Sequence, residues 1–154
     1  MIKASDALLF VAPLVLGMGS GWLLMSRSGY VQCGRRPSIQ PPGWVFSVAW
    51  TVLYILAGAA AALAWRRAGR KWTRGLTALA VALLALMAWW AYFASVCKPS
   101  TAFAAIVPAA GLVVVATALM WADGAVVSAA LLGPLVAWMV FASLLSFLSI
   151  PGTK

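Results

Sequence analysis

The sequence predicts an all-α integral membrane protein, a bundle of five transmembrane helices that forms one domain over residues 1–154. The first observation is composition: 65% of the residues are hydrophobic and 8% are charged, whereas soluble domains are about 45–50% apolar and about 25% charged. The second is that charged residues divide the chain into five long uncharged runs. Each run can supply the roughly 20 residues that cross a bilayer core. Because a segment in lipid must satisfy its own backbone hydrogen bonds, each run is expected to be helical.

The first two spans are predicted at about 7–26 and 42–65. The first is kept as a span because its apolar stretch continues to Met25, beyond the 7–15 residues of a signal-peptide core. The second begins at a Pro-Pro pair, which suits the first turn of a helix. Between them, residues 27–40 form the only long loop, rich in Gly, Pro, Ser and Arg.

The other three spans are predicted at about 76–97, 101–121 and 126–149. They are separated by Lys98-Pro99 and by a short turn around Asp123. Short loops predict that consecutive helices are antiparallel neighbours.

The net charge of +9 indicates a membrane surface as partner rather than a nucleic acid, because basic residues at span ends meet lipid phosphates. Five basic residues fall in a predicted loop at 66–75, which favours a cytoplasmic position for that loop. The opposite face carries nearly as many, so the orientation stays open, as does the choice between a bacterial envelope membrane and an organelle membrane.

The scarcity of side chains that could act as acids, bases or metal ligands argues against most enzyme and transporter classes. There is no histidine, and the two side-chain carboxylates, Asp6 and Asp123, lie at span ends. This disfavours acid–base catalysis, a Ser-His-Asp triad and metal binding. No ionisable residue lies in the middle of a span, so an ion-coupling site is not expected either. No cofactor is required.

Aromatic residues are the remaining candidates for a site, and helical spacing groups them into stripes on three spans. The stripes are Phe46, Trp50 and Tyr54; Met87, Trp90 and Phe93 or Ala94; and Pro134, Trp138, Ala142 and Leu145. A single aromatic stripe is more often core packing or lipid-facing surface than a ligand wall. Three converging stripes would enclose a flat apolar cavity that suits a planar hydrophobic ligand.

Two motifs resemble the translocator protein family, also called TspO/MBR, tryptophan-rich sensory proteins and peripheral-type benzodiazepine receptors. Residues 37–54 include PSIQPPGWVF and AWTVLY, similar to the family pattern K-P-x-W-x-P-P-x-W-V-F-x-x-x-W-x-x-L-Y. Residues 134–146 read PLVAWMVFASLLS, similar to P-Y-x-x-W-x-x-F-A-T-x-L-N. Ile39, Leu135 and Ser146 depart from these patterns, and the sterol-recognition pattern near Phe147 lacks its Tyr and Arg, so the chain looks like a divergent member.

The resemblance implies a five-helix bundle, often a homodimer, with a ligand pocket beneath the first loop. It also implies ligands such as protoporphyrin IX, haem and sterols. Some bacterial members are reported to promote light- and oxygen-dependent porphyrin breakdown, with pocket tryptophans that match Trp50 and Trp138. In this chain the resemblance favours a receptor or carrier for tetrapyrroles. The alternatives are an enzyme-like porphyrin photo-oxidation and a membrane scaffold without a small ligand.

The predicted ligand-binding residues combine the three stripes with two loop arginines. They are Phe46, Trp50, Tyr54, Met87, Trp90, Phe93, Trp138, Ala142, Leu145, Arg35 and Arg36. The arginines could pair with propionates, and contact with lipid headgroups is the equally weighted alternative. Cys33 and Cys97 are predicted on the same membrane face, where two free thiols are favoured over a disulfide.

Overall fold

The computed structural model describes residues 37–68, 70–96 and 98–152, together with Val11, Val15 and Gly19; for residues 68, 70–80 and 95 it describes the backbone only. Within these ranges the chain forms four helices, α1 (Gly43–Ala68), α2 (Arg70–Ser95), α3 (Pro99–Ala122) and α4 (Val126–Leu148). They correspond to the second to fifth predicted spans, so the all-α class is confirmed for the described ranges.

The first predicted span and most of the 27–40 loop lie outside the described residues. Three positions of that span are described, and all three are helical. The count of five spans therefore stays a prediction.

The prediction of a basic loop at 66–75 was wrong. The helix α1 continues to Ala68, and α2 already begins at Arg70, so almost the whole segment is helical. A charged residue ends an apolar run without ending a helix, because Arg, Lys and Ala are all good helix formers. Arg66 and Arg67 occupy the last turn of α1, where cations interact favourably with the negative end of the helix dipole.

Three of the four helices in the described ranges are long and apolar enough to cross a membrane, namely α1 to Arg67, α3 and α4. Large apolar side chains also point away from the protein: Trp44 is 69% exposed, Val127 is 66% exposed and Val140 is 58% exposed. A water-soluble monomer rarely carries so much exposed apolar surface. In a bilayer the same surface faces lipid tails.

The four helices contact one another in the cyclic order α1, α4, α3, α2, with the contact between α1 and α2 much the least extensive. Small side chains explain the closest seam, between α3 and α4, because Ala105, Ala109, Ala129 and Ala142 are all almost fully buried and let the backbones approach. Consecutive α1 and α2 are thus weaker neighbours than their short connection predicted. Their contact includes the bulky rings of Trp50 on α1 and Trp90 on α2.

The connection between α3 and α4 is a tight helix-ending turn around Gly124. The Gly124 N–H donates to the Trp121 carbonyl at 3.0 Å, and the Ala125 N–H donates to the Met120 carbonyl at 2.8 Å, the pair of bonds that defines a Schellman motif. Gly124 has φ +75°, a left-handed conformation that favours glycine. A Cβ atom there would also lie 3.1 Å from Nη2 of Arg67.

Replacing Gly124 by alanine is therefore expected to destabilise the protein by about 1–2 kcal/mol, the cost of a left-handed residue with a Cβ. Thermal unfolding in detergent measures it. Gly111→Ala on α3 is the matched control, because a Cβ at Gly111 meets nothing within 4 Å. Equal stability of the two variants would contradict the strain assigned to Gly124.

The alternating helix directions define two ends of the bundle. One end contains the Pro37–Gln40 turn, which is closed by a hydrogen bond of 3.0 Å from the Gln40 N–H to the Pro37 carbonyl. The start of α3 and the end of α4 meet at this same end, where the Phe103 and Phe147 rings lie 5.6 Å apart. We call it the Pro37 end. Arg67 and Gly124 mark the opposite end.

Candidate functional site

Three tryptophans from three helices lie together in the half of the bundle nearer the Pro37 end, with the middle one in contact with the other two. The ring centre of Trp50 on α1 lies 6.3 Å from that of Trp90 on α2 and 6.2 Å from that of Trp138 on α4. The Trp50 and Trp138 planes are at 84°, the edge-to-face arrangement that aromatic quadrupoles favour. Trp50 is thus the central ring of what we call the tryptophan cluster: Trp50, Trp90 and Trp138.

Further rings surround the cluster at helical spacing. Tyr54, one turn after Trp50, stacks on it at 5.4 Å with an interplanar angle of 24°. Phe46 meets Trp138 edge-to-face at 5.6 Å across the α1–α4 contact, and Phe141 lies 5.5 Å from Trp138. The stripe that was predicted on α1 therefore faces the stripe that was predicted on α4.

The two outer indoles of the cluster differ in their hydrogen bonding. The Trp90 Nε1–H donates to Oγ of Ser146 at 3.2 Å, which links α2 to α4. The Nε1 atom of Trp138 is buried and has no hydrogen-bond partner in the described part of the protein. Most buried indole N–H groups do find a partner.

Ser146 also differs from the two hydroxyls nearest to it in sequence, one on α4 and one at its C-terminal cap. Ser143 donates to the Met139 carbonyl and Ser149 donates to the Leu145 carbonyl, both at 2.8 Å within their own chain segment. Ser146 instead contacts a side chain of another helix. It orients the Trp90 indole, and Trp90 in turn contacts Trp50.

We expect Ser146→Ala to lower stability by about 1 kcal/mol, because it removes the hydroxyl that accepts the Trp90 N–H and links α2 to α4. Ser146→Asn, which keeps a side-chain acceptor, should recover most of the loss. The comparison is thermal unfolding in detergent, with Ser143→Ala as the matched control because its hydroxyl bonds only to its own helix. A loss in the control as large as that in Ser146→Ala would argue against the link between helices.

The remaining predicted residues are placed less centrally. Ala142 and Leu145 are buried in α4, and Met87 is partly buried against the core. Phe93 contacts the rings of Trp89 and Tyr92 on its own helix, at 5.4 Å and 5.1 Å, rather than those of the cluster. The predictions for Arg35, Arg36 and the Cys33–Cys97 pair lie outside the described residues.

Sequence reasoning missed two members of the site. Phe141 follows Trp138 by three residues and Ser146 follows it by eight, so both share its face at helical spacing. Ser146 had been noted only as a departure from the family pattern. The available signal was that a polar residue lay on an otherwise apolar aromatic face.

Chemically, the site offers aromatic faces and hydrogen-bond donors. Within the described ranges there is no group of three or more His, Cys, Asp or Glu side chains that could hold a metal ion. The rings of the tryptophan cluster touch, so a ligand would lie against the cluster or separate its rings. An arrangement of this kind can bind a planar apolar molecule by stacking and dispersion.

Membrane-length helices with apolar outer faces, packed around buried aromatic rings, define a class: an integral, multi-pass membrane protein with an aromatic site inside its bundle. The profile of the TspO/MBR family matches residues 9–149. The chain therefore belongs to the TspO/MBR family.

Two relatives illustrate the similarity. The chain is 31% identical over 134 residues to the tryptophan-rich protein TspO of Chlorobaculum tepidum, covering 84% of this chain and 82% of that protein. It is 29% identical over 121 residues to the translocator protein of Ovis aries, covering 73% of this chain and 68% of that protein.

Proposed function

We propose that this protein is a membrane receptor or carrier that binds protoporphyrin IX, haem or a similar planar hydrophobic ligand, such as a sterol, at the tryptophan cluster. The observation that carries the proposal is the contact of Trp50 with both Trp90 and Trp138, which brings three helices to one aromatic site. A site on three helices is held by the packing of the whole bundle.

The chemistry of the cluster matches a large flat ring system. A macrocycle that stacks on Trp50 would exchange contacts between indoles for contacts with its own face, so little dispersion energy is lost when the rings separate. Within the described part of the chain the printed ring neighbours of the cluster are aromatic side chains, and the ligand would therefore be held by its apolar face. Any propionates would extend toward the Pro37 end, where the helices terminate.

Titration of the purified protein with protoporphyrin IX in detergent tests the proposal. Binding should quench tryptophan fluorescence to saturation and shift the porphyrin absorption band. A free tryptophan analogue in the same micelles is the control for non-specific quenching. Quenching that does not saturate, or that equals the control, would favour the scaffold function without a small ligand.

The same contacts support a second candidate, light-dependent porphyrin breakdown with molecular oxygen as oxidant. A bound porphyrin that is excited by light would lie against Trp50, whose ring already touches two further indoles. The test is to illuminate the complex and follow porphyrin absorbance with and without oxygen. Loss of absorbance no faster than that of free porphyrin in micelles would leave the receptor or carrier function alone.

A further inference from the structure

The end of the bundle opposite the Pro37 end, which we call the Arg67 end, carries a concentration of positive charge. Its cations fall between positions 66 and 74, and they are Arg66, Arg67, Arg70, Lys71 and Arg74. In the described part of the chain, the carboxylate at this end is that of Asp123. Five positive charges and one negative charge sum to +4. The tryptophan cluster, in the other half of the bundle, makes no use of this charge.

The helix ends hold these cations in one layer at the edge of the membrane. The membrane-length apolar stretch of α1 ends at Arg67, α1 itself ends at Ala68, and α2 begins at Arg70. The contact of Trp50 with Trp90 shows that α2 runs back along α1. With a rise of about 1.5 Å per residue, the backbones of all five cationic residues lie within roughly 6 Å of this junction along the helix axes.

The guanidinium group of Arg67 extends the positive layer from α1 to the turn between α3 and α4. Its Nη2 atom lies so close to this turn that a Cβ atom on Gly124 would be 3.1 Å away. Arg67 is nevertheless exposed, so a molecule outside the protein can reach it. A guanidinium group binds phosphate oxygens through two parallel N–H donors.

Exposed apolar side chains lie next to this guanidinium on the membrane side. Leu63, one helical turn before Arg67, is 41% exposed, and Val127, just after Gly124, is 66% exposed. Trp121 at the same end is 61% exposed, and tryptophan is enriched at the level of the lipid headgroups. Cations above exposed apolar side chains are the complement of a phospholipid, whose phosphate lies at the interface and whose acyl chains lie in the hydrocarbon core.

We propose that the Arg67 end is a docking surface for anionic phospholipids, with the Arg67 guanidinium on the lipid phosphate and Leu63 and Val127 against the acyl chains. Crowded like charges repel one another. An anionic headgroup relieves this repulsion, whereas a zwitterionic headgroup brings a cation of its own. The proposal goes beyond a general contact of basic residues with a bilayer, because it assigns a preference for headgroup charge to one end of the bundle. It does not depend on the ligand of the tryptophan cluster.

The experiment measures thermal unfolding of the full chain in a neutral detergent with added phosphatidylglycerol or phosphatidylcholine of identical acyl chains. A ligand that binds only the folded protein stabilises it. Phosphatidylglycerol is therefore expected to raise the Tm by roughly 3–5 °C more than phosphatidylcholine does. This difference should largely disappear in about 1 M NaCl, where charges are screened within about 3 Å.

Inorganic phosphate at the same concentration distinguishes a lipid from a free anion. It is expected to leave the Tm unchanged, because it has no acyl chains to contact Leu63 and Val127. A rise equal to that caused by phosphatidylglycerol would show that a free anion is sufficient, and it would overturn the assignment to lipid.

Matched changes of charge locate the surface. Arg67→Gln keeps a good helix former and should remove about half of the difference between the two lipids. The fourfold replacement of Arg67, Arg70, Lys71 and Arg74 by glutamine should abolish it. Lys98→Gln, at the start of α3 and therefore at the Pro37 end, also removes one charge and should leave the difference unchanged. Each variant is compared with itself in the two lipids, so a change in its basal stability does not enter the result.

Equal Tm values of the unmodified protein in the two lipids would overturn the proposal. A difference that persists in the fourfold variant would overturn it too. An effect of Lys98→Gln as large as that of Arg67→Gln would show that the lipid responds to net charge alone, which also contradicts a surface at one end. The comparisons of lipid, salt and phosphate use only the unmodified protein, so they test the proposal even when a variant fails to fold.

Discussion

The double variant Trp50→Phe with Trp138→Phe is expected to lower the affinity for protoporphyrin IX at least tenfold and to abolish any light-dependent loss of the porphyrin. Both rings belong to the tryptophan cluster, with their centres 6.2 Å apart. Phenylalanine keeps an apolar ring but presents a smaller face. Aromatic pairs contribute about 0.5–1.5 kcal/mol beyond area burial, so two weakened contacts reach the roughly 1.4 kcal/mol that corresponds to a factor of ten.

The measurement is the shift of the porphyrin absorption band, because removing two tryptophans changes the intrinsic fluorescence itself. The matched control is Trp44→Phe with Trp121→Phe, two tryptophans that are 69% and 61% exposed and that lie outside the cluster. The control variant should bind as the unmodified protein does. Unchanged affinity and unchanged photochemistry in the Trp50 and Trp138 variant would place the ligand elsewhere.

Ala109→Leu is expected to cause the largest loss of stability among single apolar substitutions in α3. Ala109 has 0% exposure and lies in the core where α3 packs closely on α4. Three extra carbon atoms have no space there, so the helices must separate or the side chain must adopt a strained rotamer. Overpacking of this kind costs about 1–3 kcal/mol, which corresponds to a fall in Tm of roughly 5 °C.

The matched control for this substitution is Ala104→Leu, on the exposed side of the same helix. The same change there should leave Tm within about 1 °C of that of the unmodified protein, because substitutions away from packed sites usually have effects below about 0.5 kcal/mol. Thermal unfolding in detergent, read together with monodispersity by gel filtration, compares the two variants. Equal Tm values would show that the α3–α4 seam tolerates large side chains.

The stripes of the candidate site show how far periodicity predicts a structure. Spacing correctly grouped Trp50 with Tyr54 and placed Trp138 on a face with Ala142, because side chains four residues apart lie on one side of a helix. Periodicity on one helix cannot show which residue of another helix it meets. That is why the hydrogen bond from Trp90 to Ser146, which joins α2 to α4, was not predicted.

The helix ends show a second limit. Charged residues located the apolar runs, yet α1 and α2 extend through the basic segment between them. The run of uncharged residues reports the thickness of the hydrocarbon core, whereas the helix continues for as long as its backbone bonds are favourable. At Asp123 the end of the uncharged run and the end of the helix coincide more closely, because the Gly124 turn ends α3 there.

By itself, the sequence determined the solvent, the helical class of the apolar runs and the family motifs. Lipid excludes charge and requires satisfied backbone bonds, so uncharged runs of this length become helices whatever they pack against. The tertiary structure alone decided that α1 packs more extensively on α4 than on α2, and that the buried Trp138 N–H meets no acceptor among the described residues. These features depend on the sizes of side chains that meet across two helices. The pairing of two helices cannot be read from the sequence of either one alone.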